Sequence, residues 1–148
     1  LILVGYSMGG AIVMNFLYRS PLADSVEGAI LDAPMLDFGA TVDLGAHERG
    51  FPQFFATLAK AVAGFRFDID WGGLDYLERA DELDIQILLF HGDADDTVPL
   101  ETSDVLAKAR RDIVRYITVP GARHVRSWNT DRAAYETAVR EFLRDLTR

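Results

Sequence analysis

The segment Gly5-Tyr6-Ser7-Met8-Gly9 joins an apolar, β-prone run, Leu1-Ile2-Leu3-Val4, to a stretch of helical character from Ala11 to Tyr18. A serine between two glycines at such a junction constrains the local fold more than any other feature of the chain. Its hydroxyl is thrown off the end of a strand only if the backbone turns sharply and is strained at Ser7, and only very small neighbours tolerate that turn. Gly5 and Gly9 lie two residues on either side of Ser7, where side chains are expected to collide with the adjoining strand or helix. Gly10 is expected to leave room for close helix packing.

Four apolar runs alternate with helical stretches: Leu1 to Val4, Gly28 to Leu31, Ile85 to Phe90 and Val114 to Val119. Their near-continuous apolar character suits parallel strands buried on both faces, so the fold class is α/β, a parallel sheet flanked by helices. The first helix spans Gly9 to Tyr18 and stops at Arg19-Ser20-Pro21. A second, about Glu101 to Arg111, is expected to turn Val105, Leu106 and Ala109 inward. The last carries Tyr135, Ala138, Val139, Phe142, Leu143 and Leu146 as one apolar stripe. Thr130 or Asn129 is placed to cap it, and Glu136 is spaced to pair with Arg140.

Between the second and third strands runs a long insertion, about 35–82, which holds Phe51, Phe54, Phe55, Phe65, Phe67, Trp71 and Tyr76. It is far longer than the usual connection in an α/β unit. A helix from Pro52 to Ala63, with Phe55, Leu58, Ala59 and Val62 on one side, is read either as part of a lid over a substrate pocket or as a helix packed on the main core. Asp68 and Asp70 have no companion ligands nearby and read as a solvated loop.

Composition narrows the function classes. With 148 residues, 49% of them hydrophobic, the chain has material for one core and one domain. A formal net charge of −8 repels a nucleic-acid backbone or an anionic membrane surface and favours a small molecule as partner. The absence of cysteine excludes disulfides, thiolate zinc sites and a cysteine nucleophile. No apolar run reaches the length that spans a bilayer. Leu1 to Val4 lacks preceding basic residues and is interrupted by Ser7 and Asn15, so it reads as a strand and not as a signal-peptide core. A cytoplasmic location is the corresponding expectation. Because the chain opens without Met and inside a strand, it is expected to be cut at its amino end.

In a parallel α/β sheet the loops leaving the carboxyl ends of the strands gather on one edge. Ser7 leaves the first strand there, His91-Gly92-Asp93-Ala94-Asp95-Asp96 the third, and Gly121-Ala122-Arg123-His124 the fourth. One edge thus collects a serine, a carboxylate and an imidazole in the chain order Ser, Asp, His. His124 has the chemistry to accept the Ser7 proton, and a carboxylate has the chemistry to hold its tautomer and stabilise the imidazolium.

Together, Gly-Tyr-Ser-Met-Gly-Gly from Gly5, His-Gly-Asp-Ala-Asp-Asp-Thr-Val-Pro from His91 to Pro99, and Gly-Ala-Arg-His from Gly121 followed by Trp128-Asn129 make the chain resemble the carboxyl-terminal half of an α/β-hydrolase, over essentially its whole length. The resemblance implies a nucleophile elbow at Ser7, the base at His124 and the acid at Asp95, and a contiguous slab made of the family's last four strands. Met8 is implied as an oxyanion-hole donor through its backbone N–H. Asp93 and Asp96 are neighbouring rivals for the acid. Asp32, which ends the second strand, occupies a position that some relatives use instead. His91 reads as a structural hydrogen-bonding residue, and His47 lies apart in the insertion.

The implied reaction is hydrolysis of a carboxylic ester through an acyl-enzyme, with no cofactor and no metal. Tyr6 and Met8 around the serine resemble small-ester, monoacylglycerol and thioester hydrolases more than prolyl-peptidase relatives. A thioesterase or serine peptidase of the same fold is the alternative. From a different class come a non-catalytic hydrolase-like module and a dinucleotide-binding turn built on Gly5, Ser7 and Gly10 with Asp32 on a ribose; in the latter, the Ser7 side chain obstructs a pyrophosphate. The second oxyanion donor is expected from a segment before Leu1. The missing amino-terminal half of the same fold is therefore an expected partner, and without it the first strand is expected to present an unpaired edge.

Overall fold

The apolar runs pair side by side in the order in which they occur. The computed structural model describes residues 1–147 and contains four strands, β1 (Ile2–Tyr6), β2 (Gly28–Asp32), β3 (Gln86–Gly92) and β4 (Val114–Val119). They form one parallel sheet in the order β1-β2-β3-β4. Register aligns Tyr6 with Asp32, Asp32 with Phe90, and Phe90 with Ile117, so the carboxyl ends of the strands are level. That levelling sets the Ser7, Asp95 and His124 loops along a single rim.

Alternation along the strands divides the core into two layers, because successive side chains point to opposite faces of a sheet. Ala29, Leu31, Ile87 and Leu89 face Val13, Met14 and Leu106, which come from helices α1 (Met8–Arg19) and α4 (Leu100–Ala109). In this numbering α2 is Phe38–Glu48, α3 is Gln53–Phe67 and α5 is Ser127–Thr130. On the opposite face, Ile30, Leu88 and Phe90 pack on Tyr135, Ala138 and Phe142 of α6 (Arg132–Leu146), and the Phe90 and Tyr135 rings stack at 4.1 Å. Burying a side chain such as Leu31, Leu88 or Leu89 completely contributes about 1.5–3 kcal/mol. The inner strands β2 and β3 are buried nearly throughout. The outer strand β1 leaves Val4 and Tyr6 about half exposed.

Several helices differ from their sequence-based expectation. In α4 the inward face is Thr102, Ser103 and Leu106, whereas Val105 is 50% exposed and Ala109 is also exposed. Ser103 turns inward onto a polar side chain of the interior, His91, and the Thr102 hydroxyl donates to the Pro99 carbonyl. For α6 the cap is Asp131, whose carboxylate accepts from Ala134 N–H at 2.9 Å, while Asn129 and Thr130 belong to the separate turn α5. Glu136 does meet Arg140, at 3.5 Å, and also takes Arg132 at 2.6 Å.

The insertion contains α2 as well as α3, and α2 has no strong apolar stripe to announce it. Asp37 caps it by accepting from Ala40 N–H. The α3 helix is longer than its apolar pattern suggests, and its inward side consists of Ala56, Lys60 and Gly64. Lys60 pairs with Asp43 of α2 at 2.7 Å, and Trp71 donates to the Lys60 carbonyl at 3.0 Å. Phe55, Leu58 and Val62 are consequently turned outward, at about half exposure each, and do not pack on the main core.

Candidate active site

At the end of β1 the chain reverses through Ser7, whose φ of 50° and ψ of −121° place a non-glycine residue in a strained region. Hydrogen bonds hold the turn from three sides. Ser7 N–H donates to the Asp32 carbonyl at 3.1 Å, and the Ser7 carbonyl accepts from Gly10 N–H at 2.9 Å and Met35 N–H at 3.1 Å. Gly5 is sterically required, since a Cβ there would lie 2.7 Å from the Gly9 carbonyl oxygen and 2.8 Å from the Gly10 nitrogen. The collision expected at Gly9 occurs instead at Gly10, where a Cβ would sit 2.9 Å from Pro34 Cα; a Cβ at Gly9 meets nothing within 4 Å. The reason is rotational: one residue along α1 is 100° of turn, which carries Gly10 onto Pro34 in the loop after β2 and leaves Gly9 on the open side.

The loop after β3 presents Asp95 with its side chain wholly inaccessible. One carboxylate oxygen, Oδ1, accepts from Thr97 N–H at 2.8 Å and Val98 N–H at 3.0 Å. The other, Oδ2, faces two imidazoles, His124 Nδ1 at 2.8 Å and His91 Nε2 at 3.2 Å. Burial by itself pushes this carboxyl up, but the donors from His124, His91, Val98 and Thr97 outweigh it and hold the group well below the usual carboxylate range. Asp95 is therefore an anion at any pH near neutrality.

After β4, Gly121 (φ 71°) turns the chain toward Asp95, and its N–H donates to Asp93 at 2.6 Å. Val125, directly after His124, has a φ of 53°, an outlier for a β-branched residue. Strain of this kind persists only where surrounding contacts over-determine the conformation. Beside it, His124 Nε2 lies 2.8 Å from Ser7 Oγ. Because Nδ1 faces an ionised carboxylate it carries the proton. Nε2 is then an acceptor, and the Ser7 hydroxyl donates to it.

Ser7, His124 and Asp95 are thus drawn into one continuous chain of hydrogen bonds. Other candidates lie elsewhere. Asp96 pairs with Arg123 across the same two loops without touching the imidazole. Asp32 is buried and accepts from Ser127 Oγ at 2.7 Å, so its carboxylate is not offered to a ribose hydroxyl. Desolvation raises the Asp32 pKa, with the Ser127 hydrogen bond opposing that shift in part. His47 is exposed on α2, and its ring lies 3.8 Å from the Glu48 carboxylate. Met8 opens α1, where its N–H has no intrahelical acceptor, and its side chain is 58% exposed.

Two clefts adjoin these residues. One of about 450 Å³ is lined by His124, Arg123, Arg126 and Asn129. The other, about 470 Å³, lies between the insertion and the loop after β3, with Val42, Ala46 and Phe51 facing Asp96 and Thr97. Among the described residues no group of three His, Cys, Asp or Glu is placed to hold a metal ion.

Sequence reasoning overlooked Ser103 and Ser127, the two buried hydroxyls that hold His91 and Asp32. A signal for Ser103 existed: it stands one turn before Leu106 on the face of α4 that packs inward. Ser127 carried none, since only folding brings it to β2.

No family model matches the sequence. The uncharacterized protein YfhR of Escherichia coli (strain K12) is 25% identical over 128 residues, which span 84% of this chain and 38% of YfhR. Among solved structures, the Pyrococcus furiosus esterase Pf2001 superposes with a TM-score of 0.71 at 18% identity, over 98% of this chain and 53% of its own. The esterase RhEst1 from Rhodococcus sp. ECU1013 does so with a TM-score of 0.64 at 20% identity, over 98% of this chain and 65% of its own. The chain therefore spans about half the length of Pf2001 and two fifths of the length of YfhR. With four parallel strands in sequential order, helices on both faces and this agreement with the two esterases, the chain has the α/β-hydrolase fold.

Proposed function

We propose that this chain carries the reacting residues of a serine hydrolase that cleaves carboxylic esters through an acyl-enzyme. The observation that supports this reading above all others is the unbroken hydrogen-bond chain from Ser7 Oγ through both nitrogens of His124 to Asp95, at 2.8 Å for each contact. In the proposed reaction His124 Nε2 takes the Ser7 proton as Oγ bonds to the ester carbonyl carbon. The developing oxyanion lies at the amino end of α1, where the Met8 N–H is available as a donor. His124 then passes its proton to the departing alcohol. Water repeats the sequence on the acyl-enzyme, releasing the acid and restoring Ser7. Asp95 stays ionised throughout and stabilises the imidazolium.

A second oxyanion donor, from a segment preceding Leu1, belongs to the same proposal; one such donor contributes about 2.7–4 kcal/mol to the transition state. So does a lid formed by α2 and α3, which the cleft between Phe51 and the acid loop favours. Ester substrates are preferred over other acyl compounds because Pf2001 and RhEst1, alike in fold, are esterases.

The test is labelling of the full-length protein with a fluorophosphonate, followed by peptide mapping. Covalent modification at Ser7 that is lost in Ser7→Ala, together with hydrolysis of p-nitrophenyl acetate, is the expected result. An unlabelled, folded protein overturns the proposal.

A further inference from the structure

His91 lies in the interior beside the reacting residues, yet the acyl-transfer steps make no use of it. Its side chain is fully inaccessible, as is that of Asp95. Nε2 has two acceptors before it, the Val98 carbonyl at 3.2 Å and Asp95 Oδ2 at 3.2 Å. A lone pair pointed at two acceptors would be repelled by both, so Nε2 carries the proton. Nδ1 is then an acceptor, and its neighbour at 2.7 Å is the hydroxyl of Ser103, itself fully buried on α4. The Ser103 O–H donates to Nδ1 and fixes the tautomer in which His91 donates toward Asp95.

This makes Asp95 Oδ2 a shared acceptor. We infer, on the basis of the hydrolase reading above, that His91 is a positioning residue which acts through Asp95: with Ser103 it forms a buried relay that sets how strongly the carboxylate holds His124.

The physical reason is competition for one oxygen. A charge-assisted hydrogen bond from His91 draws electron density from Oδ2 and restrains its direction, so less is available to the His124 Nδ1–H and to the imidazolium formed during reaction. Removing the His91 donor leaves a carboxylate with three donors in place of four. It remains ionised and attracts the protonated form of His124 more strongly. Since attack by Ser7 requires neutral His124, the pH at which the enzyme becomes reactive moves upward. Other charges facing this group are Asp32 from β2, which is bound to Ser127, and the Arg123–Asp96 pair at the loop surface. The contacts of these groups with Ser127 and with each other do not involve His91, and the return of the midpoint in the glutamine variant ties the shift to the shared oxygen.

The experiment compares the pH dependence of fluorophosphonate labelling at Ser7 in wild-type, His91→Leu and His91→Gln full-length proteins. His91→Leu removes the donor, and its labelling midpoint is expected to rise by roughly half to one pH unit. Glutamine places an amide N–H near the position of Nε2, so His91→Gln is expected to return the midpoint toward wild type. A merely structural His91 would lower Tm in both variants and leave the midpoint in place, and that outcome overturns the inference. If His91→Leu does not fold, His91→Phe serves, because its ring fills the imidazole site and removes the same donor; an upward shift is again expected and an unchanged midpoint again overturns the inference. Failure of wild-type protein to label at Ser7 removes the hydrolase reading and this inference with it. Normal wild-type labelling with unshifted variants removes this inference alone.

Discussion

Ser127 Oγ donates a 2.7 Å hydrogen bond to Asp32, which ties the first residue of α5, three positions beyond His124, to the last residue of β2. The same Asp32 accepts the Ser7 N–H through its carbonyl. One residue of a neighbouring strand thereby fixes the Ser7 turn with its backbone and the His124 loop with its side chain.

Asp32 is expected to make the fold more stable in acid than its neighbours suggest. Its pKa is raised above the ordinary 3.8 because burial penalises the charged form, an effect the Ser127 hydrogen bond only partly offsets. As pH rises above 3.8 the unfolded chain loses this proton more readily than the folded protein, so stability falls; below 3.8 both states keep the proton and the penalty vanishes. Asp32→Asn retains an acceptor for Ser127 without the charge. It is expected to raise Tm at pH 7 by roughly 2–4 °C. That gain should shrink as the pH approaches 4, and melting curves across this range check the sign.

Asp95 has the opposite dependence. Its carboxyl is held below the ordinary value of 3.8, so its contribution to stability is present above that value and is lost as pH falls through the folded pKa. Asp95→Asn should therefore lower Tm at neutral pH, with the deficit closing once the medium is more acidic than 3.8. In the same variant the amide cannot enforce the His124 tautomer. Ester hydrolysis is expected to drop by about 10³–10⁴-fold, measured as kcat.

The backbone at Ser7 stores strain that a residue without a Cβ would not feel. With φ at 50° and ψ at −121°, Ser7→Gly is expected to be more stable than Ser7→Ala by about 1 kcal/mol, although both lack the hydroxyl. Denaturant midpoints of the two variants make the comparison, and equal midpoints would show the turn to be unstrained.

Neighbouring glycines of the elbow should respond differently to one added methyl. Gly5→Ala and Gly10→Ala press a Cβ onto the helix backbone and onto Pro34 respectively, and each is expected to destabilise the protein by about 1–3 kcal/mol. Gly9→Ala meets open space and gains helix propensity, so it should be neutral or stabilising by up to about 1 kcal/mol. Thermal melts of the three variants separate the positions.

What the sequence determined by itself was local and periodic. The strand cores, the sharp turn at Ser7 and the stripe on α6 follow from apolar runs, a serine set among glycines and 3.6-residue spacing, each of which is expressed within about fifteen residues. Parallel topology then placed the loops holding Ser7, Asp95 and His124 on one rim, because strand ends in such a sheet are forced to the same side. Tertiary structure decided everything that depended on distance across that rim. Which aspartate meets His124 was settled by a turn in which Asp95 gathers four donors, while Asp93, Asp96 and Asp32 are engaged by Gly121, Arg123 and Ser127. The inward face of α4 was decided by the buried His91, which called for a hydroxyl where the apolar pattern placed Val105. The orientation of α3 was decided by Lys60, Asp43 and Trp71. A buried polar group must find its partner wherever the fold supplies one, and periodicity along the chain contains no record of partners from other elements.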